Sequence, residues 1–291
     1  MILQGPKGAK RDITDEFFEP FSPADWREQR TPSYDWIVDG CFLRGTVAIL
    51  AGDGGLGKSL LMQQLMTAAA VGDTWLGMST QRVRSLAVYC EDDLDELHRR
   101  QERINNFYEC GMGDLEPMRI ESRAGRDCVL MRFRQWGDDG KTTVMYDKLE
   151  YAAIAHQAKI VVLDTVADVF AGNEIDRNQP RVFIRALRRL AIKIQGVVIL
   201  TQHPSNEGMA SGSGRSGSTG WHNSVRSRLY LTTTKKPGKD DEGPGNERFL
   251  KTMKNNQGPF GGKIKLKWSN GVFVRVEDQM DLYYQERDTA F

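Results

Sequence analysis

The chain has 291 residues, 40% of them hydrophobic and 27% charged, with 40 Lys and Arg against 39 Asp and Glu for a net charge of +1. That profile suits one large soluble α/β domain with short extensions, and it excludes a chain that coats nucleic acid by bulk charge. A focused basic channel stays compatible with it, because local fields matter more than the sum.

No apolar run reaches the about 20 residues that span a bilayer, so no membrane role is expected. The start, Met1-Ile2-Leu3-Gln4-Gly5-Pro6-Lys7, lacks the apolar core of a signal peptide. Cys41, Cys90, Cys110 and Cys128 show no ligand spacing, which predicts reduced, inert thiols and a cytoplasmic location. His98, His156, His203 and His222 are too scattered to propose a metal site.

Residues 1–35 are polar and proline-bearing and read as an arm or lead-in, with a short helix near Pro23-Ala24-Asp25-Trp26. From Trp36 to about Trp268 short apolar strands alternate with amphipathic helices. The strand candidates are 46–51, 85–90, 160–164, 197–201 and 227–232. This alternation predicts a mostly parallel central sheet with helices on both faces, followed by C-terminal antiparallel hairpins. The domain assignment is one α/β core over 36–278 and a tail over 279–291.

The first strand, Thr46 to Ala51, runs into Gly52-Asp53-Gly54-Gly55-Leu56-Gly57-Lys58-Ser59, and a helix starts near Leu60. The octet fits G-x-x-x-x-G-K-[ST], the phosphate-binding loop of NTPases. Glycines let the backbone take positive φ and wrap its N–H groups round an anion. Lys58 supplies a charge for the β- and γ-phosphates, Ser59 a hydroxyl for Mg²⁺, and the helix its positive end. ATP with Mg²⁺ is the implied ligand.

The second strand ends in Glu91-Asp92-Asp93. Glu91 is the candidate general base, with Asp92 or Asp93 as local alternatives and a cap for the helix near Leu94 as the plain reading. The third strand, Ile160 to Leu163, ends in Asp164, which falls where parallel strands deliver a metal-binding carboxylate; a helix cap is the competing role. Over 179–195, Val182, Phe183, Ala186, Leu187, Leu190 and Ile194 form one helix face and Arg181, Arg185, Arg188, Arg189 and Lys193 the other, which reads as a solvated charged face. The fourth strand ends in Thr201-Gln202-His203, polar groups suited to sensing a γ-phosphate.

The Gly- and Ser-rich stretch 205–223 is too long for a simple connection, so it is functional or disordered. Lys235 to Gly245 reads as a charged hairpin tip. Lys263 to Trp268, then Ser269-Asn270-Gly271, then Val272-Phe273-Val274 signals a hairpin with a tight Asn-Gly turn.

Together, the glycine loop, E-D-D, V-V-L-D-T and T-Q-H resemble the RecA-like and DnaB-like P-loop ATPase core. The resemblance covers roughly 36–275 and is most similar to RepA-type hexameric replicative DNA helicases of plasmids and phages. It implies Lys58 and Ser59 as the phosphate-loop pair, Glu91 as catalytic glutamate and Asp164 as metal carboxylate, with His203 as sensor. It also implies Arg226, in Ser224-Val225-Arg226-Ser227-Arg228, as a finger donated by a neighbouring subunit. Lys254 matches the lysine of a K-x-R pair, but Asn256 stands where that family has the arginine.

The resemblance further implies a homo-oligomeric ring, a hexamer, in a bacterial, plasmid, phage or prophage setting. Single-stranded DNA would be contacted by loops about 166–179, carrying Arg177, and 205–222, carrying Arg215 and Trp221. Priming or initiation would come from separate proteins such as a primase or initiator. A RecA-like recombination or annealing ATPase and an ATP-gated accessory protein remain alternatives.

Overall fold

Strands that read as apolar throughout are buried on both faces, because helices cover the sheet from either side. The computed structural model describes residues 20–134, 139–233, 245–258 and 261–276. The charged tip at 235–244, the tail 279–291, residues 1–19 of the lead-in and Pro259-Phe260 lie outside those residues. The chain separates into two units, Met1–Tyr34 and Asp35–Phe291. In the first, a 3₁₀ turn covers Pro23–Trp26, with Ser22 capping it through the Ala24 N–H.

The second unit opens with a small hairpin, β1 (Trp36–Val38) and β2 (Phe42–Leu43). Then come β3 (Thr46–Gly52), α1 (Lys58–Val71), β4 (Ser85–Tyr89), α2 (Leu94–Tyr108) and β5 (Met118–Ser122). Next are β6 (Met131–Arg132), β7 (Lys141–Thr142), α3 (Val144–Ala155), β8 (Ile160–Asp164), α4 (Val166–Val169) and β9 (Phe170–Ala171). They are followed by α5 (Asn178–Lys193), β10 (Val197–Gln202), α6 (Asn206–Ala210), α7 (Thr219–Ser224) and β11 (Ser227–Thr232). The chain closes with β12 (Glu247–Asn255), β13 (Lys263–Ser269) and β14 (Val272–Arg275).

The main sheet has the order β14-β13-β12-β11-β3-β10-β8-β4-β5. Its strands from β11 to β5 pair in parallel, and β12, β13 and β14 add antiparallel. The expected α/β core with C-terminal hairpins is therefore the observed fold. At the β13–β14 turn Asn270 and Gly271 both take positive φ, as the Asn-Gly signal requires.

Side chains alternate across the sheet and divide the core in two. Ala48 and Leu50 face the side carrying α1 and α2, while Val47, Ile49 and Ala51 face the side carrying α3, α5 and α7. On α5, Phe183, Ala186, Leu187 and Leu190 are buried, while Arg181, Arg185, Arg189 and Lys193 are exposed, as a solvated charged face demands.

One device was hidden in the sequence. Gln64 of α1 is fully buried; its amide donates to the Phe273 carbonyl at 3.0 Å and accepts from the Phe273 N–H at 2.9 Å. This pair clamps the C-terminal hairpin to the helix that follows the phosphate loop. Among the described residues, no helix is long and apolar enough to cross a membrane.

Candidate active site

The phosphate loop leaves the end of β3 with Gly55 at φ 70° and Gly57 at φ 95°, conformations only glycine takes without strain. A Cβ on Gly57 would lie 2.5 Å from the Phe273 ring, so glycine is required by space as well. Asp53 accepts from the Gly54 N–H at 2.8 Å and, like Gly54 and Gly55, is exposed. Leu56 and Leu60 are core residues whose side chains pack inward, so, like the loop's glycines, they can offer a ligand only their backbone.

Lys58 is buried, and its ammonium donates to the carbonyls of Gly52 at 2.9 Å and Asp53 at 3.1 Å. Burial pushes its pKa below the ordinary lysine value, against the pull of Asp164, Glu91 and Asp53. An ammonium held on loop carbonyls is a donor already inside the cradle.

The carboxylates collect at the same end of the sheet. Ile160 and Val162 of β8 and Val197 and Ile199 of β10 face the α1 side, so by alternation Asp164 and Thr201 turn toward α1 as well. Asp164 accepts hydrogen bonds from the hydroxyls of Thr201 and Ser59. Its pKa is raised by burial first, with those two hydrogen bonds and Lys58 opposing. The helix-cap alternative for Asp164 does not hold: Thr165 occupies the cap of α4.

The three acids after β4 separate by role. Asp93 caps α2, accepting from the Glu96 N–H at 2.7 Å. Asp92 pairs with Arg100 at 2.8 Å. Glu91 makes no hydrogen bond or ion pair with another described residue. Burial and then Asp164 and Asp168 raise its pKa, while His203 and Lys58 lower it. Those couplings place Glu91, Asp164, Lys58 and His203 in one electrostatic neighbourhood. His203 is exposed, with Nδ1 3.4 Å from the Lys58 ammonium.

Gln202, read from the sequence with His203 as a polar group suited to sensing a γ-phosphate, is buried. It is 2% exposed at the end of β10, level with Ala51, and neither polar atom of its side chain has a partner among the described residues. A buried unpaired amide is costly and needs a reason. The visible signal was a polar residue closing an otherwise apolar strand.

The residues fit a Mg²⁺-nucleotide: a positive-φ glycine cradle, a buried lysine and a Ser59–Asp164 hydrogen bond. Backbone N–H groups of the loop and Lys58 would hold the phosphates, and Ser59 with Asp164 the metal.

A second concentration of charge gathers Arg215, His222, Arg226, Arg228 and Lys254. Burial first, then Lys254, Arg228 and Arg215, drives the His222 pKa down to about 4. Lys254 is lowered by burial and by Arg226; its ammonium donates to the His222 and Asn223 carbonyls at 2.8 and 3.3 Å. Arg226 is half-buried. Its N–H donates to the Val47 carbonyl at 3.2 Å, and β11 pairs Leu231 with Gly52. From Val47 to Gly52 is five residues, about 16 Å along a strand, longer than an arginine side chain. Arg226 and Lys254 thus stand apart from the loop of their own chain.

The two loops proposed to meet DNA are ordered and tied together. Ser216 donates to Glu174 at 3.1 Å, and the Ser218 hydroxyl donates to the Asp176 carbonyl at 2.7 Å. Arg177 and Arg215 are exposed on them. The disorder reading of 205–223 gives way to two short helices, α6 and α7. Trp221 is a correction: it is 1% exposed and its ring packs 5.1 Å from Phe170, so it belongs to the core and cannot stack on a base.

A family model described as an AAA domain matches residues 14–209, more than half of the chain. The match spans the phosphate loop, Glu91, Asp164 and His203 and stops before Arg215, Arg226 and Lys254. No curated protein matches the chain. The chain belongs to the AAA domain family and is a nucleotide-hydrolysing P-loop ATPase.

Proposed function

We propose that this ATPase is a ring-forming translocase on single-stranded DNA, a replicative helicase of RepA type that hydrolyses ATP at subunit interfaces. The observation that carries the reading is the separation of Arg226 from Gly52 of its own chain. A cation that cannot reach its own pocket is of use to a neighbour's. Fingers donated in this way are worth about 10³–10⁵ in rate. Such a site is completed only in an oligomer, and a closed ring of six copies follows from the resemblance to RepA-type proteins.

Bound ATP and Mg²⁺ would supply the scissile phosphate and offset its charge. Glu91, with no hydrogen bond or ion pair among the described residues, would take the proton of the attacking water. Lys58 holds phosphate oxygens, Ser59 and Asp164 orient the metal, and Arg226 with Lys254 of the next subunit offsets charge in the transition state. His203 and Gln202 respond to loss of the terminal phosphate. Arg177 and Arg215 track the DNA backbone, largely blind to sequence. A primase or an initiator would act as a separate partner.

The test is a forked DNA duplex with ATP and Mg²⁺. Unwinding is expected. Turnover stimulated by single-stranded DNA without unwinding would favour a recombination or annealing ATPase. Turnover indifferent to DNA would favour an ATP-gated accessory protein.

A further inference from the structure

Arg228 is the least explained cation in the fold. It is 2% exposed and forms no ion pair with a carboxylate among the described residues; Arg215 and Tyr230 are the titratable groups that act on it. Its guanidinium donates to the carbonyls of Ser213, at 3.1 Å, and Gly214. Burial and the nearby Arg215 bring its pKa down to about 10, so it stays charged at neutral pH. Burying a cation without a carboxylate is unfavourable, and an apolar residue facing α5 and α7 would avoid that penalty. What an apolar residue cannot do is hold two loop carbonyls with one planar fork.

The loop it holds is internally closed. Arg215 folds back through its carbonyl, which accepts from the Ser205 N–H at 2.9 Å and hydroxyl at 3.1 Å. The Gly214 N–H donates to Gly208 at 2.9 Å. Gly214 sits at φ 59°, with space for a Cβ blocked by the Tyr230 ring at 2.5 Å from Cγ. Arg228 and Tyr230 are both β11 residues, on the strand whose far end pairs with Gly52 and whose first residue, Ser227, follows Arg226.

We infer that Arg228 is a positioning residue that fastens the 205–217 loop to β11, so that an anion engaged at Arg215 shifts the strand bearing Arg226. The inference rests on the reading of Arg215 as a nucleic-acid contact and of Arg226 as a group acting on a neighbour. Physically, the loop is a lever and Arg228 its pin. A phosphate neutralising Arg215 removes the repulsion on Arg228 and tightens its grip on the two carbonyls. With the fork gone, the loop binds and releases DNA without moving the strand.

The experiment compares the full chain with Arg228→Gln, Arg228→Lys and Gly214→Ala. ATP turnover is measured with and without a deoxythymidine oligonucleotide, and amide hydrogen exchange is followed over 205–217. In the wild type the oligonucleotide raises turnover. Arg228→Gln and Gly214→Ala, which break the contact from opposite sides, are expected to cut the stimulated increment by roughly 5-fold or more. Turnover without DNA should stay near wild type, and loop amides should exchange faster. Arg228→Lys should fall between, since an ammonium lacks the fork.

Faster exchange with stimulation intact overturns the coupling. Lost stimulation with unchanged exchange overturns the fastening and leaves the DNA reading standing. A wild type indifferent to the oligonucleotide refutes the DNA reading itself, and the coupling with it. If Arg228→Gln fails to fold, Arg228→Lys and Gly214→Ala decide the matter.

Discussion

Replacing Gly57 by alanine tests how the C-terminal hairpin supports the phosphate loop. Two costs add. At φ 95° an alanine lies outside the left-handed region, at about 1–3 kcal/mol. Its Cβ would sit 2.5 Å from Phe273 Cε2 and 2.9 Å from Cζ, an overpacking of about 1–3 kcal/mol. The ring has little room to retreat, because the Gln64 amide holds Phe273 from both its N–H and its carbonyl. The loop therefore gives way, and its amides leave the phosphate positions. Urea unfolding of Gly57→Ala should show a loss of about 2–6 kcal/mol. Titration with a fluorescent ADP analogue should show weakened binding. Adding Phe273→Leu should recover part of the affinity by removing the clash and leaving the φ penalty. A variant within about 0.5 kcal/mol of wild type, with unchanged affinity, refutes the reasoning.

Two further predictions concern charge. The raised pKa of Glu91 means that it keeps its proton to higher pH than an ordinary glutamate, so the acid limb of ATP turnover should bend above the ordinary glutamate value. In Glu91→Gln turnover should be lost while nucleotide binding persists, and loss of binding would contradict the role. Asp164 also has a raised folded-state pKa, so its favourable contribution is present at acid pH and lost as pH rises through that pKa. Asp164→Asn should thus unfold at higher urea than wild type at pH 7.5, with the gain shrinking toward pH 4. Equal stabilities at both pH values would show that the carboxylate is not held at a cost.

The phosphate loop, the parallel strands and the amphipathic α5 were legible because each is written locally: a fixed glycine spacing, an unbroken apolar run, a helical period. Long-range contacts were not. Gln64 and Phe273 lie 209 residues apart, and nothing near either one announces the clamp. Strands buried on both faces carry no alternation, so the sequence could not say which residues turn toward α1 or that β10 lies between β3 and β8. The E-D-D run named three acids, and only the geometry of Arg100 and the α2 cap withdrew Asp92 and Asp93 from the chemistry. Trp221 was misjudged because a glycine- and serine-rich stretch reads as solvent-exposed, whereas its ring is held among Phe170 and Phe183.

Mixing two inactive variants tests most directly whether one subunit completes another's site. Lys58→Ala lacks a working phosphate loop but keeps Arg226, and Arg226→Ala keeps the loop but lacks the finger. Each alone should turn over ATP at no more than about a thousandth of the wild-type rate. Combined, they form interfaces with an intact loop on one side and an intact finger on the other, and turnover should reappear and depend on the mixing ratio. A mixture no more active than the sum of its parents, with mixed oligomers verified by mass, contradicts the account.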